Sequence, residues 1–210
     1  MEAHLRAGVA IYNAGGYHAA HDAWEDHWLD LEAGTDDERF LHGLIQFTAA
    51  VHHGVEGNRA GLQGLAESAG EYLAELPSPY RGVDLDAVGD YLADLAADPG
   101  HFERVEPPEL RYEGDSLALS DLAADGDFEA AAVAAGVLAE EREGYEEDVV
   151  EAAVGYAREA IDAGEGGQFV ALVFDFVAGE ERDLVYRRLE DHVARRQSRE
   201  ADVEGLFDPE

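Results

Sequence analysis

Apolar residues recur along almost the whole chain at the spacing of an α-helix, so helices are predicted nearly throughout. Leu5, Val9 and Tyr12 define a first helix over residues 3–13, which the run Asn13-Ala14-Gly15-Gly16 ends. A second helix is predicted over 17–31, stopped by Ala33-Gly34-Thr35-Asp36-Asp37, where Thr35 or Asp36 caps a third helix over 38–55. Gly57-Asn58 turns the chain into a fourth helix over 59–76, with Leu62, Leu65, Ala69 and Leu73 on its apolar side and Pro77 and Pro79 beyond its end. Leu85, Val88, Leu92 and Leu95 mark a fifth over 84–97. Helices joined by such short turns pack as antiparallel neighbours.

Pro107-Pro108 sits in the clearest break, and a linker is predicted over 105–116. Four more helices follow, over 128–142, 145–163, 168–178 and 180–199. Residues 169–174 also read as a buried strand, but Phe169, Leu172, Val173 and Phe176 match the helical period better. The expected fold class is all-α: a helical bundle of antiparallel hairpins with a C-terminal helical extension. The expected domains are an N-terminal bundle over 1–104, a C-terminal helical domain over 117–200 and a frayed tail over 201–210.

Within this pattern one stretch is dense in chemistry. Residues 16–28 read Gly-Tyr-His-Ala-Ala-His-Asp-Ala-Trp-Glu-Asp-His-Trp, which packs three histidines, three carboxylates and two tryptophans into thirteen residues. On a helix His21, Glu25 and Trp28 share one face, with His18 a turn earlier. The third helix carries Gln46 and His53 seven residues apart, hence on a common face, whereas His52 falls in phase with Leu41, Ile45 and Thr48. A ligand-binding pocket of His21, Glu25, Trp28, Gln46 and His53 between two helices is therefore expected. Three readings are open. His21, Glu25 and His53 make a ligand set for a divalent transition metal with open positions; the same groups make an organic-ligand or acid-base site; or they form a hydrogen-bonded network that only holds helices together.

Other histidines attract less. His4, His42 and His101 read as surface residues, His27 points away from the His21 face, and His192 lies on the apolar side of the last helix. Residues 180–200 hold six Arg against six acidic residues, so ion pairing within the helix is expected rather than a phosphate-binding patch. There is no HExxH, no Glu-x-x-His, no phosphate-binding glycine loop and no GxSxG, so no catalytic residue is assigned.

Composition narrows the setting. The 210 residues carry 48 Asp and Glu against 14 basic residues, all Arg, for a net charge of -34, yet 46% of the chain is hydrophobic. So apolar a chain folds rather than staying disordered. Charge repulsion of this size is relieved in molar salt, where the Debye length falls to about 3 Å. A soluble protein of a halophilic, archaeal-type cytoplasm is expected. There is no Cys, hence no disulfide or thiolate site. No leader or membrane segment is read, and the excess negative charge disfavours nucleic acid and anionic membranes as partners. A small ligand, a protein partner or a second copy of the chain is left open.

The residues Tyr17-His18-Ala19-Ala20-His21-Asp22-Ala23-Trp24-Glu25-Asp26-His27-Trp28, then Phe40-Leu41-His42-Gly43-Leu44-Ile45-Gln46, His53 and Gly57-Asn58-Arg59-Ala60-Gly61, resemble the domain of unknown function 309 family. Ala20, His21, Glu25, Trp28, Gly43 to Gln46, His53, Gly57 and Asn58 match its pattern. Ala19 and Asp22 stand where the family has Glu, and His42 where it has Gln. The resemblance covers about the first 75 residues and implies an all-helical domain without an assigned activity. The leading functional expectation is a ligand- or partner-binding helical module; the alternative is a metal-dependent, hydrolase-like enzyme using His21, Glu25 and His53.

Overall fold

The computed structural model describes residues 1–204 and divides into two compact units, Met1–Leu119 and Ser120–Glu210. The fold is all-α. In the first unit, helices α1 (Glu2–Asn13), α2 (Tyr17–Leu29), α3 (Asp36–Val55), α4 (Arg59–Leu73) and α5 (Asp86–Ala97) follow one another as antiparallel neighbours. A short 3-10 turn, Pro99–Glu103, follows α5.

α1 is buried from Ala7 to Tyr12, on every side rather than along one stripe. Its surroundings explain why. Trp24 of α2 is fully buried and its indole ring lies over Gly8, where an added Cβ would come within 2.1 Å of Trp24 Nε1. Ala19, Ala20 and Ala23 are the other buried residues of α2. Phe40, Leu41, Leu44, Phe47 and Val51 of α3 and Leu62, Ala66 and Ala69 of α4 complete the core. Thr35 caps α3, its hydroxyl accepting from Glu38 N at 3.2 Å, and Asn58 caps α4, its Oδ1 accepting from Gly61 N at 3.1 Å.

The segment expected to be a linker, 105–116, is folded onto the first unit. It forms a two-stranded hairpin, β1 (Arg111–Tyr112) and β2 (Asp115–Ser116). Its backbone polar groups find side-chain partners on α1: Tyr12 Oη donates to Pro108 O at 3.0 Å, and Asn13 Nδ2 donates to Leu110 O at 2.9 Å and Leu117 O at 3.1 Å. Asn13 Oδ1 in turn accepts from Leu110 N at 2.9 Å. Leu110 is fully buried and anchors the strap. Prolines keep this segment out of a helix, but they do not free a chain whose polar groups and apolar side chain both have places to go.

The division between the units falls at the first residue of α6 (Leu119–Ala124), a short helix absent from the expected set. The second unit continues with α7 (Phe128–Glu140), α8 (Glu147–Asp162), α9 (Gln168–Ala178) and α10 (Arg182–Glu204). α7, rich in buried alanine, packs on α8 and α9, which bury Val150, Val154, Val173 and Phe176, and α10 packs on α8 and α9 with Val185, Leu189 and Val193 buried. α10 runs to Glu204, five residues past its expected end, and the remainder of the expected tail lies outside the described residues. Two arginines of α10 pair within it: Arg195 with Asp191 at 3.3 Å, and Arg196 with Glu200 at 2.8 Å. Arg182 instead turns back to α9, donating to Phe176 O at 2.8 Å and Val177 O at 3.2 Å, where a helix end leaves carbonyls unpaired. Among the described residues no helix is long and apolar enough to cross a membrane.

Candidate functional site

The polar face of α2 is a consequence of its apolar one. With Ala19, Ala20, Ala23 and Trp24 turned into the core, His18, His21, Asp22 and Glu25 lie on the opposite side. They form two pairs at i, i+4, staggered by three residues. His18 Nδ1 is 3.1 Å from Asp22 Oδ2, and His21 Nε2 is 3.5 Å from Glu25 Oε1. One donor atom each from His21, Asp22 and Glu25 lie within 4.8 Å of one another, a spacing one cation can span.

Ring contacts fix how α3 lies along this face. Trp28 meets His42 with centroids 4.6 Å apart, and His18 meets His52 at 5.5 Å. Ten residues separate Trp28 from His18 and ten separate His42 from His52, so the two contacts define one antiparallel register. That register sets Glu25 level with Ile45, next to Gln46, and His21 level with Ala49. His53 falls level with Tyr17, about 6 Å along the axis from His21 at 1.5 Å per residue. Of the neighbouring pair His52 and His53, it is His52, in phase with Ile45 and Thr48, whose ring meets α2.

His53 has another occupation. Because Asn58 Oδ1 accepts from Gly61 N, its Nδ2 must be the atom 3.2 Å from His53 Nδ1, and an amide nitrogen can only donate. The same His53 Nδ1 lies 3.5 Å from Glu56 Oε2, so the ring is engaged at the turn into α4 by both groups. Gly61 is glycine for the same reason: a Cβ would lie 2.7 Å from Asn58 Nδ2 and 3.1 Å from His53 Cδ2. The expected set of His21, Glu25 and His53 is therefore split. The first two stay together with Asp22, and His53 joins the turn into α4.

Gln46 and Trp28 belong to a second network, at the far end of the same helices. Trp28 Nε1 donates to Glu38 Oε1 at 3.0 Å, Gly34 N donates to Glu38 Oε2 at 3.1 Å, and His42 Nδ1 lies 3.4 Å from Glu38 Oε1. Burial alone would raise the Glu38 carboxyl, but these donors together hold it below its usual value. Gln46 Nε2 donates to His42 Nε2 at 2.9 Å, so the His42 proton is on Nδ1, toward Glu38. Gln46 Oε1 is then buried with no partner among the described residues. His42 is not a surface residue, as its sequence context implied: it is clamped between Trp28 and Tyr72 of α4, the latter stacked at 4.0 Å. His4 is likewise half-buried, stacked on His27 at 5.1 Å, and burial, reinforced by the neighbouring ring, lowers its pKa.

Sequence reasoning missed Asp22 as a partner of His18 and His21, and the ring contact of His52 with His18. The i, i+4 spacing of His18 and Asp22 was available as a signal; the encounter with His52 was not, since it depends on the register between two helices. A cavity of about 720 Å³ lies elsewhere in the first unit, between α4 and α5 over Leu73, Leu85 and Leu92. The residues lining this groove include carboxylates but no imidazole, while the histidine face brings an imidazole and two carboxylates within 4.8 Å.

Sequence comparison falls on that same face. Residues 5–65 match the family model of a domain of unknown function, DUF309. The DUF309 match spans α1 to the first turns of α4 and so contains both networks. The chain is also 30% identical over 108 residues to an uncharacterised protein of Aquifex aeolicus (strain VF5). That similarity takes in 51% of this chain but only 31% of the relative.

Proposed function

We propose that the first unit is a ligand-binding helical module whose α2 face holds a divalent transition-metal ion through His21, Asp22 and Glu25. The observation that carries this reading is the convergence of one imidazole and two carboxylates within 4.8 Å on an accessible helix face. One nitrogen and two oxygens suit Zn(II), Mn(II), Fe(II) or Ni(II), and three protein donors leave positions for water or a further ligand. Those open positions support a second reading, a metal-dependent hydrolase in which the ion polarises a substrate oxygen or lowers the pKa of bound water. The protein's acidity and lack of Lys support a high-salt cytoplasm as its setting.

Plasma mass spectrometry of untagged protein purified in molar KCl, followed by Zn(II) titration of the chelator-treated protein, tests the site. Wild type should take up metal in near-stoichiometric amount, His21→Ala should lose it, and His53→Ala should keep it while melting lower. Uptake unchanged in His21→Ala would remove the reading. Turnover of an aryl ester or phosphodiester by the loaded protein, abolished by His21→Ala, would select the hydrolase.

A further inference from the structure

We propose that this chain pairs with a second copy of itself, α10 of one copy lying in the groove between α4 and α5 of the other. Two chains of charge -34 repel, so their association has to begin where the charge is locally reversed. That place is α10. Residues 187–199 hold five arginines against Glu190 and Asp191. Arg188, Arg195 and Arg199 stand at i, i+7 and i+11, hence on one helix face, and all three are exposed. Arg195 reaches Asp191 at 3.3 Å, whereas Arg187, Arg188 and Arg199 close no ion pair among the described residues. Arginines elsewhere are engaged, as Arg39 is with Glu75, Arg104 with Asp98 and Arg158 with Glu129. Leu184, 42% exposed and one turn before Arg188, adds an apolar side chain at the start of the same face.

The groove answers this face in charge, shape and length. Leu73, Leu85 and Leu92 form its floor, and Gly70 and Gly89 widen it, since at neither would an added Cβ meet an atom within 4 Å. Glu67 and Glu71 of α4 and Asp86 and Asp90 of α5, each pair at i, i+4, line its two sides and are exposed. At 1.5 Å per residue each pair is spaced by about 6 Å along its helix, as are Arg195 and Arg199. The groove from Asp86 to Ala96 runs about 15 Å, against about 16 Å from Arg188 to Arg199. An apolar floor between charged sides is the form in which a groove receives one face of an incoming helix. Each copy carries both halves of the contact, so a closed pair makes it twice. None of His21, Asp22 and Glu25 takes part, and the pairing is independent of the ion assigned to them.

Sedimentation velocity of the full chain in molar KCl, at high-micromolar protein, tests the pairing. Wild type should sediment at twice the 22.7 kDa of one chain. A groove variant with Glu67→Arg and Glu71→Arg should be monomeric, and so should a helix variant with Arg188→Glu, Arg195→Glu and Arg199→Glu. Mixing the two should restore the double mass, because every helix then meets a groove of opposite charge. Restoration requires both variants to be folded, which separates loss of pairing from loss of fold. Gly70→Leu, which sends its side chain into open space, should be monomeric with the circular dichroism of wild type. A monomeric wild type would overturn the proposal, including the case in which the groove variant melts lower and the occupant is α10 of the same chain. A dimer that both charge-reversed variants keep would overturn it as well, as would two monomeric variants whose mixture stays monomeric.

Discussion

Single side chains in this protein are read correctly only when both ends of each polar group are followed. His53 and His52 are neighbours in sequence, yet the first lies 3.2 Å from the Asn58 side chain and the second faces His18 across the helix pair. His4 and His27 illustrate a consequence for stability. They are stacked on each other, and burial followed by proximity to other positive groups lowers both pKa values, so both rings are held neutral in the fold. Unfolded histidine titrates near pH 6.5, and below that pH the unfolded chain takes up protons that the folded chain refuses. Stability should therefore fall as pH is lowered through about 6.5 and continue to fall until the folded-state values are reached. Denaturant midpoints between about pH 7.5 and 5.5 should show this loss, and it should be smaller in His27→Gln; an equal slope in both proteins would mean that other groups set it.

At the scale of helices, small residues decide what can touch. Gly8 and Trp24 form the tightest such junction, since the indole occupies the space of the missing side chain. Gly8→Ala would force α1 and α2 apart or turn Trp24 from its place, and overpacking of this kind costs about 1–3 kcal/mol. We expect the variant to unfold at a lower denaturant midpoint with loss of near-ultraviolet signal from the tryptophan, whereas Gly64→Ala, where an added Cβ meets nothing within 4 Å, should be neutral or stabilising. The hairpin over 111–116 shows the same dependence on local partners. Asn13 holds the backbone on both sides of it, at Leu110 and Leu117, while Asp84 N donates to Arg111 O at 3.1 Å and Glu113 N to Gly82 O at 2.7 Å.

Over the whole molecule, charge sets the conditions of folding. A net charge of -34 on 210 residues is repulsive at low ionic strength, and screening shortens from about 10 Å at 0.1 M salt to 3 Å at 1 M. The melting temperature should rise steeply with KCl over that range and rise similarly with NaCl; a flat response would mean that ion pairs such as Arg158 with Glu129, at 2.7 Å, offset the repulsion locally. The sequence by itself determined the all-α class, because helical periodicity and turn residues are local properties. It also determined the His21 and Glu25 pairing, which needs only one turn of one helix. It made Thr35 and Asn58 legible as caps for the same reason. Tertiary structure decided the rest. Which residues of α2 the histidines of α3 meet, Trp28 for His42 and His18 for His52, depends on the register between the helices, and no periodicity within one helix encodes that. Whether the Pro107-Pro108 segment is free or bound depends on Tyr12 and Asn13, some hundred residues away in the chain, and hydrogen bonds over such separations form only when packing has already brought the partners together.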